Sequence, residues 1–513
     1  MDRQRDRPDR FFAASPPLRT TALLILTTIA VAFAAILCAS GNYREAAVLA
    51  AAGLGAGLLV AGPISVQAVL ITWFATAPLA SFYIRFPTDR SIVTYNRSVF
   101  ALVIVMLLLK PGCTASLTQT TSEAQSSSGN AWSRRAAFSV SKFEVAWALL
   151  SVLALASAVA ASNNAANAAR IAIDTFWLPL VAFHVARNYL GLRNGGRWLL
   201  LGGIALALFL FATGAFEFVT GADLFAYKGS EIVREGERRV NGPFAADSSF
   251  AIICLILFLF LLAAAKLFRV RFDRTGKLVY ACALTGAALG ALLPLFRGVA
   301  LALVAGWIVL QWSGRSLLSR PAFRRAIPMG SVIVLLLIAL VAWIVTIAPS
   351  PVGNRLTDAR TAYGRLATWQ AAAEIAFDNP VLGVGLANYA DYFDASHYYS
   401  DEPPEEVLDT RAADSPHSNV LWIGAELGLT GLALYFAANA YLFLIGWRAL
   451  KRAGDSRQRT AALCFLALVV AYWIPGLTLA SGYYSDLNLY FLFLLGALSN
   501  SSLVPSSRSL THG

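Results

Sequence analysis

The sequence predicts an all-α, polytopic membrane protein with about 12–14 transmembrane helices and a large outer loop before the last spans. Three observations carry this. Of the 513 residues, 58% are hydrophobic and 14% charged, with a mean hydropathy of +0.62, whereas about a quarter of a soluble domain is charged. Apolar runs of near-spanning length recur from Thr21 to Asn500. The runs are continuous rather than alternating, which excludes a transmembrane β-barrel.

The runs fall near 21–39, 46–62, 64–82, 97–109, 144–162, 171–189, 198–215, 249–266, 278–295, 298–312, 328–348, 428–447, 462–478 and 486–499. The first reads as an uncleaved signal-anchor, because Ile36-Leu37 ahead of Cys38 lacks the small residue that cleavage requires. With the N-terminus inside, 27 of the 41 Lys and Arg residues fall on the inner side, as the positive-inside rule demands. The net charge of +12 is therefore a topology signal. Basic residues scattered over many short loops exclude a nucleic-acid surface. Five cysteines without a CxxC predict neither a disulfide framework nor a metal site, and no cofactor is expected.

A bundle over 1–348 is thus expected, followed by an outer loop 349–417, terminal spans over 418–499 and an inner tail 500–513. The bundle contains a Ser/Thr/Gln-rich inner loop at about 111–142 and an outer loop at about 217–248. No fixed-period repeat is visible, which counts against a transporter built from repeated halves. In the 349–417 loop, Leu366, Trp369, Ala373 and Ile375 keep helical spacing. Asn379-Pro380 stops that helix, and Gly383 and Gly385 allow an irregular turn. The acidic, proline-broken run over 401–409 reads as a solvated surface.

The stretch DSPHSNVLWIGAELGLTG, Asp414 to Gly431, places His417 where polar chain meets apolar helix. Ser415 is a candidate cap, Pro416 a first helical residue, and Gly428 a stop after Leu427. A histidine at a helix N-terminus is held neutral by the dipole, and a neutral imidazole can act as a general base. Arginines also gather on the outer face. Arg297 opens a span, Arg239 ends the first outer loop, and Arg360 and Arg365 lie on the loop helix. Arginine suits bidentate contact with phosphate oxygens. An anchoring role also fits Arg297, and His184, flanked by apolar residues, reads as a packed or interface histidine.

Three segments carry a family resemblance: FRGVALALVAGW (296–307), GRLATWQAAAEIAFDNPVLGVGLANY (364–389) and HSNVLWIGAELGLTG (417–431). In order and topology they resemble the O-antigen ligase / O-antigen polymerase superfamily of bacterial membrane glycosyltransferases, with RVNGPFAADSSFA a looser upstream match. The sequence departs from the pattern where Ser418 separates His417 from Asn419. The resemblance implies a metal-independent transferase in the bacterial inner membrane that polymerises or ligates surface polysaccharide on the periplasmic side. Its donor would be a glycan on undecaprenyl pyrophosphate and its acceptor a glycan or lipid core. A polysaccharide export complex is the assembly in which such a protein would sit. His417, Arg297 and Arg365 are the expected catalytic residues, and Arg239, Arg360, Asn419 and Glu426 the expected substrate contacts. Protein O-oligosaccharyltransfer and, from another class, flipping of lipid-linked sugar remain open at this level.

The charge bias makes a topology prediction. In intact cells, an impermeant thiol reagent should label Ser396→Cys and spare Ser456→Cys. The reverse pattern would put Arg365 and His417 on the inner face.

Overall fold

The computed structural model describes residues 65–86, 93–109, 140–190, 192–225, 233–234, 237–238, 240–294, 296–311, 360–395 and 415–500. The helices there are α1 (Val66–Tyr83), α2 (Tyr95–Leu109), α3 (Lys142–Ala160), α4 (Ala165–Ala172), α5 (Leu178–Tyr189), α6 (Leu192–Thr220) and α7 (Asp247–Leu267). They continue with α8 (Arg274–Leu292), α9 (Arg297–Gln311), α10 (Arg360–Asp378), α11 (Tyr389–Ala395), α12 (Asn419–Arg452), α13 (Ser456–Gly476) and α14 (Ser485–Leu498). Two two-residue antiparallel ladders, Arg85–Phe86 with Val93–Thr94 and Val233–Arg234 with Glu237–Arg238, close short turns.

Among the described residues, 8 helices are long and apolar enough to cross a membrane, and three shorter apolar ones accompany them. The multi-pass helical fold is as the sequence predicts. Every predicted span on described residues coincides with one of these helices. The spans near 21–39, 46–62 and 328–348 lie outside the described residues, as do most of 111–142 and the acidic run 401–409.

The chain divides into two compact units, one of residues 1–73 with 83–139 and one of 74–82 with 140–513. In the first, Trp73 donates its indole N–H to Asn96 Oδ1 at 2.9 Å and meets Phe100 edge-to-face. In the second, α7 is the central helix. From Phe250 to Leu261 every residue is buried, because a helix that is apolar all round has no face to offer water. Helices α6, α8, α9, α13 and α14 pack against it.

Polar contacts mark the two ends of this bundle. At one end Ser141 and Glu144 form a reciprocal capping box at the start of α3. The buried Glu144 carboxylate also meets His184 Nδ1 at 2.6 Å and Arg187 at 2.9 Å. Asn500 donates to the Arg187 and Leu190 carbonyls beside them. His184 is thus a structural partner of a buried carboxylate. At the other end of α3, Ser157 and residues 161–163 bind the loop that follows α10. Between α4 and α5 the helix widens into a π turn over Ile173–Trp177, and Trp147 donates to the Phe176 carbonyl at 2.9 Å. Such turns recur near functional sites.

His184→Ala should therefore lower stability by about 1.5–3 kcal/mol, the worth of a hydrogen bond to a charged group, and leave catalysis unchanged. A melting shift with full turnover would agree; unchanged stability with lost turnover would move His184 into the chemistry.

Candidate active site

The site is built on an interlock between two glycine-bearing segments. After α10 the chain turns at Asn379-Pro380 and lies along Ala425–Leu429. Val384 and Gly385 donate to the carbonyls of Ala425 and Glu426, both at 3.0 Å, and Leu429 donates to Pro380 at 2.7 Å. Backbone lies on backbone, so side chains are excluded. A Cβ on Gly428 would stand 2.6 Å from the Val381 carbonyl carbon, and one on Gly383 2.6 Å from the Glu426 oxygen. Both glycines are also left-handed, at φ 65 and 67. Gly428 breaks α12 into Asn419–Leu427 and a span beyond it, as the sequence predicts.

Glu426 fastens the interlock from within. It is 0% exposed, and its carboxylate accepts four hydrogen bonds. Ala387 N–H (2.9 Å) and Trp422 Nε1 (2.7 Å) donate to one oxygen. Tyr389 N–H (3.3 Å) and Tyr483 O–H (2.6 Å) donate to the other. Tyr389, itself buried, donates to the Thr368 carbonyl of α10 and packs with Ala372, Ile375, Val384 and Ala425. Trp422 lies between Phe176 of the π turn and Tyr483. Asn388 completes the seating of the loop. It donates to Ala161 and Val384 and accepts from Ser162 and Asn163.

On this platform stands His417. It sits one residue before the Ser418 cap of α12, half-buried, with a left-handed φ of 48. Burial, and then the charge of Arg365, push its pKa from the ordinary 6.5 down to about 4. The ring is therefore neutral at physiological pH, with Arg365 close enough to be felt. Arg297 opens α9 with an exposed side chain. Its neighbour Gly298 faces Pro475, at the end of α13, and Thr478, in the turn after it. That turn continues to Ser481 and Gly482, which bind Asn419, two residues after His417. One end of the bundle thus carries Arg297, Arg365 and His417, the three predicted catalytic residues.

One expectation needs correction. Helix α12 starts at Asn419, with Ser418 in the cap position but making no side-chain cap bond, and not at Pro416. Ser415 Oγ accepts the His417 N–H at 3.2 Å, a tight turn that uses up the intended cap. His417 still precedes a helix N-terminus, so the dipole argument stands. Glu426, an expected substrate contact, is fully buried and accepts its four hydrogen bonds from the protein. Asn419 is likewise buried and spent on the Ser481–Gly482 turn. Arg239 lies outside the described residues, as does the side chain of Arg360.

The sequence reading missed Tyr483, Trp422 and Asn388. Tyr483 lies in a short loop between two spans, ASGYYSD, on the same face as His417. Polar and aromatic residues in so short a connection were the available signal.

The comparison with known proteins bears out the resemblance read from the motifs. The family model described as O-antigen ligase matches residues 278–436, a segment that contains Arg297, Arg360, Arg365, His417, Asn419 and Glu426 and excludes Arg239. No curated protein matches the chain. The family match supports enzymatic glycan transfer of the O-antigen ligase or polymerase type by a multi-pass membrane protein.

The platform makes two stability predictions. Glu426→Ala should strand four donors at about 1–3 kcal/mol each and abolish recovery of monodisperse protein in detergent. Gly428→Ala should do nearly as much, since a left-handed, backbone-packed position accepts no Cβ. Normal yield and melting for either variant would show that the interlock does not hold the site.

Proposed function

We propose that the protein transfers a glycan from undecaprenyl pyrophosphate to a glycan or lipid-core hydroxyl, on the periplasmic side of the inner membrane. One observation supports this most: a neutral, half-buried histidine under the influence of an arginine, on a rigid platform at the end of a membrane bundle. The acceptor hydroxyl attacks the anomeric carbon of the donor sugar. The bond from that carbon to the pyrophosphate oxygen breaks, and the polyprenyl pyrophosphate leaves with the electron pair. His417 takes the acceptor proton. Arg297 and Arg365 compensate the charge gathering on the leaving group, a task suited to the planar guanidinium fork. Glu426 holds the loop and touches no substrate.

The low pKa of His417 fits this division of labour. A base that is neutral before the donor arrives need not lose a proton first. When the pyrophosphate binds, its negative charge favours the imidazolium, which makes the ring a better proton acceptor as the reaction proceeds. Polymerisation and ligation both use this chemistry. The motifs of the matched segment serve either, and the acceptor decides between them.

Arg297→Ala and Arg365→Ala should each abolish transfer at near-normal protein level, with Lys restoring only part. Full activity in both would return them to anchoring and surface roles. His417→Asn tests the base separately, because Asn tolerates the left-handed backbone. Turnover should fall by about 10²–10⁴ while donor binding persists, and a loss under threefold would remove His417 from catalysis.

The pH dependence has a definite sign. Above the ordinary 6.5 the ring is neutral in folded and unfolded chains alike. Between 6.5 and about 4 only the unfolded chain gains the proton, so stability falls with pH across that window. In steady-state assays, kcat/KM should hold down to the lower part of that window. The limb of kcat should lie at higher pH, because the bound donor raises the pKa. Coincident limbs at 6.5 would contradict a buried, arginine-flanked base.

A further inference from the structure

We infer that Phe377, Val381 and Leu382 form an apolar shelf seated in the headgroup–acyl boundary of the bilayer, at the end of the bundle that carries the candidate site. The argument begins with exposure. Phe377 is 81% exposed, Val381 66% and Leu382 58%, beside Leu429 at 56%. They form one surface, since Leu429 donates to the Pro380 carbonyl at 2.7 Å and Gly428 lies against Val381. Four large apolar side chains turned outward at one place call for a non-aqueous partner.

The long segment of α12 identifies that partner. Leu429, Phe436 and Phe443 recur every seven residues, all outward-facing, and Trp447 closes the row. This is the bilayer-facing stripe of a membrane span. At about 1.5 Å per residue, Leu429 to Trp447 covers roughly 27 Å, close to the ~30 Å of a hydrocarbon core. The far end is marked as an interface. Lys451 Nζ lies 5.2 Å from the Trp447 ring centroid, and Lys451 and Arg452 close the helix, the aromatic and basic pairing of a membrane boundary. With Trp447 at one boundary, Leu429 reaches the other, and the shelf beside it lies there too. The polar Asp378 and Asn379 interrupt the shelf, which fits the interface and not the hydrocarbon interior. Four side chains are also far fewer than the roughly 20–30 residues a side of a stable protein interface.

The occupant is therefore lipid, and the shelf sets the height at which α10 and its loop sit. The inference needs the fold and a bilayer only. It stands or falls independently of glycan transfer.

The test uses full-length protein in phosphatidylcholine–phosphatidylglycerol vesicles, with Cys38, Cys113 and Cys282 replaced by Ala as background and the unlabelled background as blank. An environment-sensitive fluorophore is attached at Phe377→Cys and at Leu382→Cys. At the two shelf positions the emission should shift to the blue. Nitroxide lipids labelled near the glycerol should quench more than those labelled at mid-chain, reaching groups roughly 5–10 Å into the boundary. Water-like emission at Leu382→Cys would overturn the inference. So would blue emission that no lipid nitroxide quenches, because protein, from this chain or another, would then cover the shelf. A second measurement needs no substitution. Amide exchange over 377–386 should be slower in lipid nanodiscs than in a short-chain detergent, and equal rates would overturn the inference as well.

Discussion

The candidate site depends on one carboxylate. Glu426 accepts four protein donors from three separate stretches of chain. Two are backbone amides of the loop after α10, one is the indole of its own helix, and one is the phenol of the turn before α14. A carboxylate in an apolar interior is tolerated only when its oxygens are satisfied, and here both are. The same condition works in reverse. The amides of Ala387 and Tyr389 donate to Glu426, so loop, helix and turn are held in one arrangement. His417 and Arg365 stand on opposite sides of that joint, and their proximity follows from it. The left-handed backbone of His417, which costs a non-glycine residue roughly 1–2 kcal/mol, persists because its surroundings over-determine it.

The positions that bear charge at the site were legible in the sequence, and those that bear structure were not. Hydrophobic run length located every described span. Glycine placement foretold both the turn at 383–385 and the break at Gly428, because a left-handed residue packed on backbone leaves few alternatives to glycine. Arg297, Arg365 and His417 could be singled out because each is a polar group at an apolar boundary.

Glu426 and Asn419 carry the same kind of polar signal, yet their partners lie far along the chain. Tyr483 is 57 residues from Glu426, and Ser481 is 62 from Asn419. No periodicity encodes such a pairing, so both were read as substrate contacts. The cap of α12 failed for a local reason. Ser415 accepts the His417 amide in a turn ahead of the helix, a local bond that composition cannot register.

The last described helix has a consequence for how the molecule comes into being. Tyr490 of α14 donates to the carbonyl of Phe74, 416 residues earlier, and Asn500 binds carbonyls more than 300 residues earlier. Helix α14 packs along α5, and its residues from Leu487 to Leu498 are buried throughout. While a ribosome is still delivering the outer loop, the groove on α5 faces lipid, and the Arg187 and Leu190 carbonyls have no amide to receive. Assembly therefore waits for α14. Until that helix enters the membrane, α5 lacks the helix that packs along it.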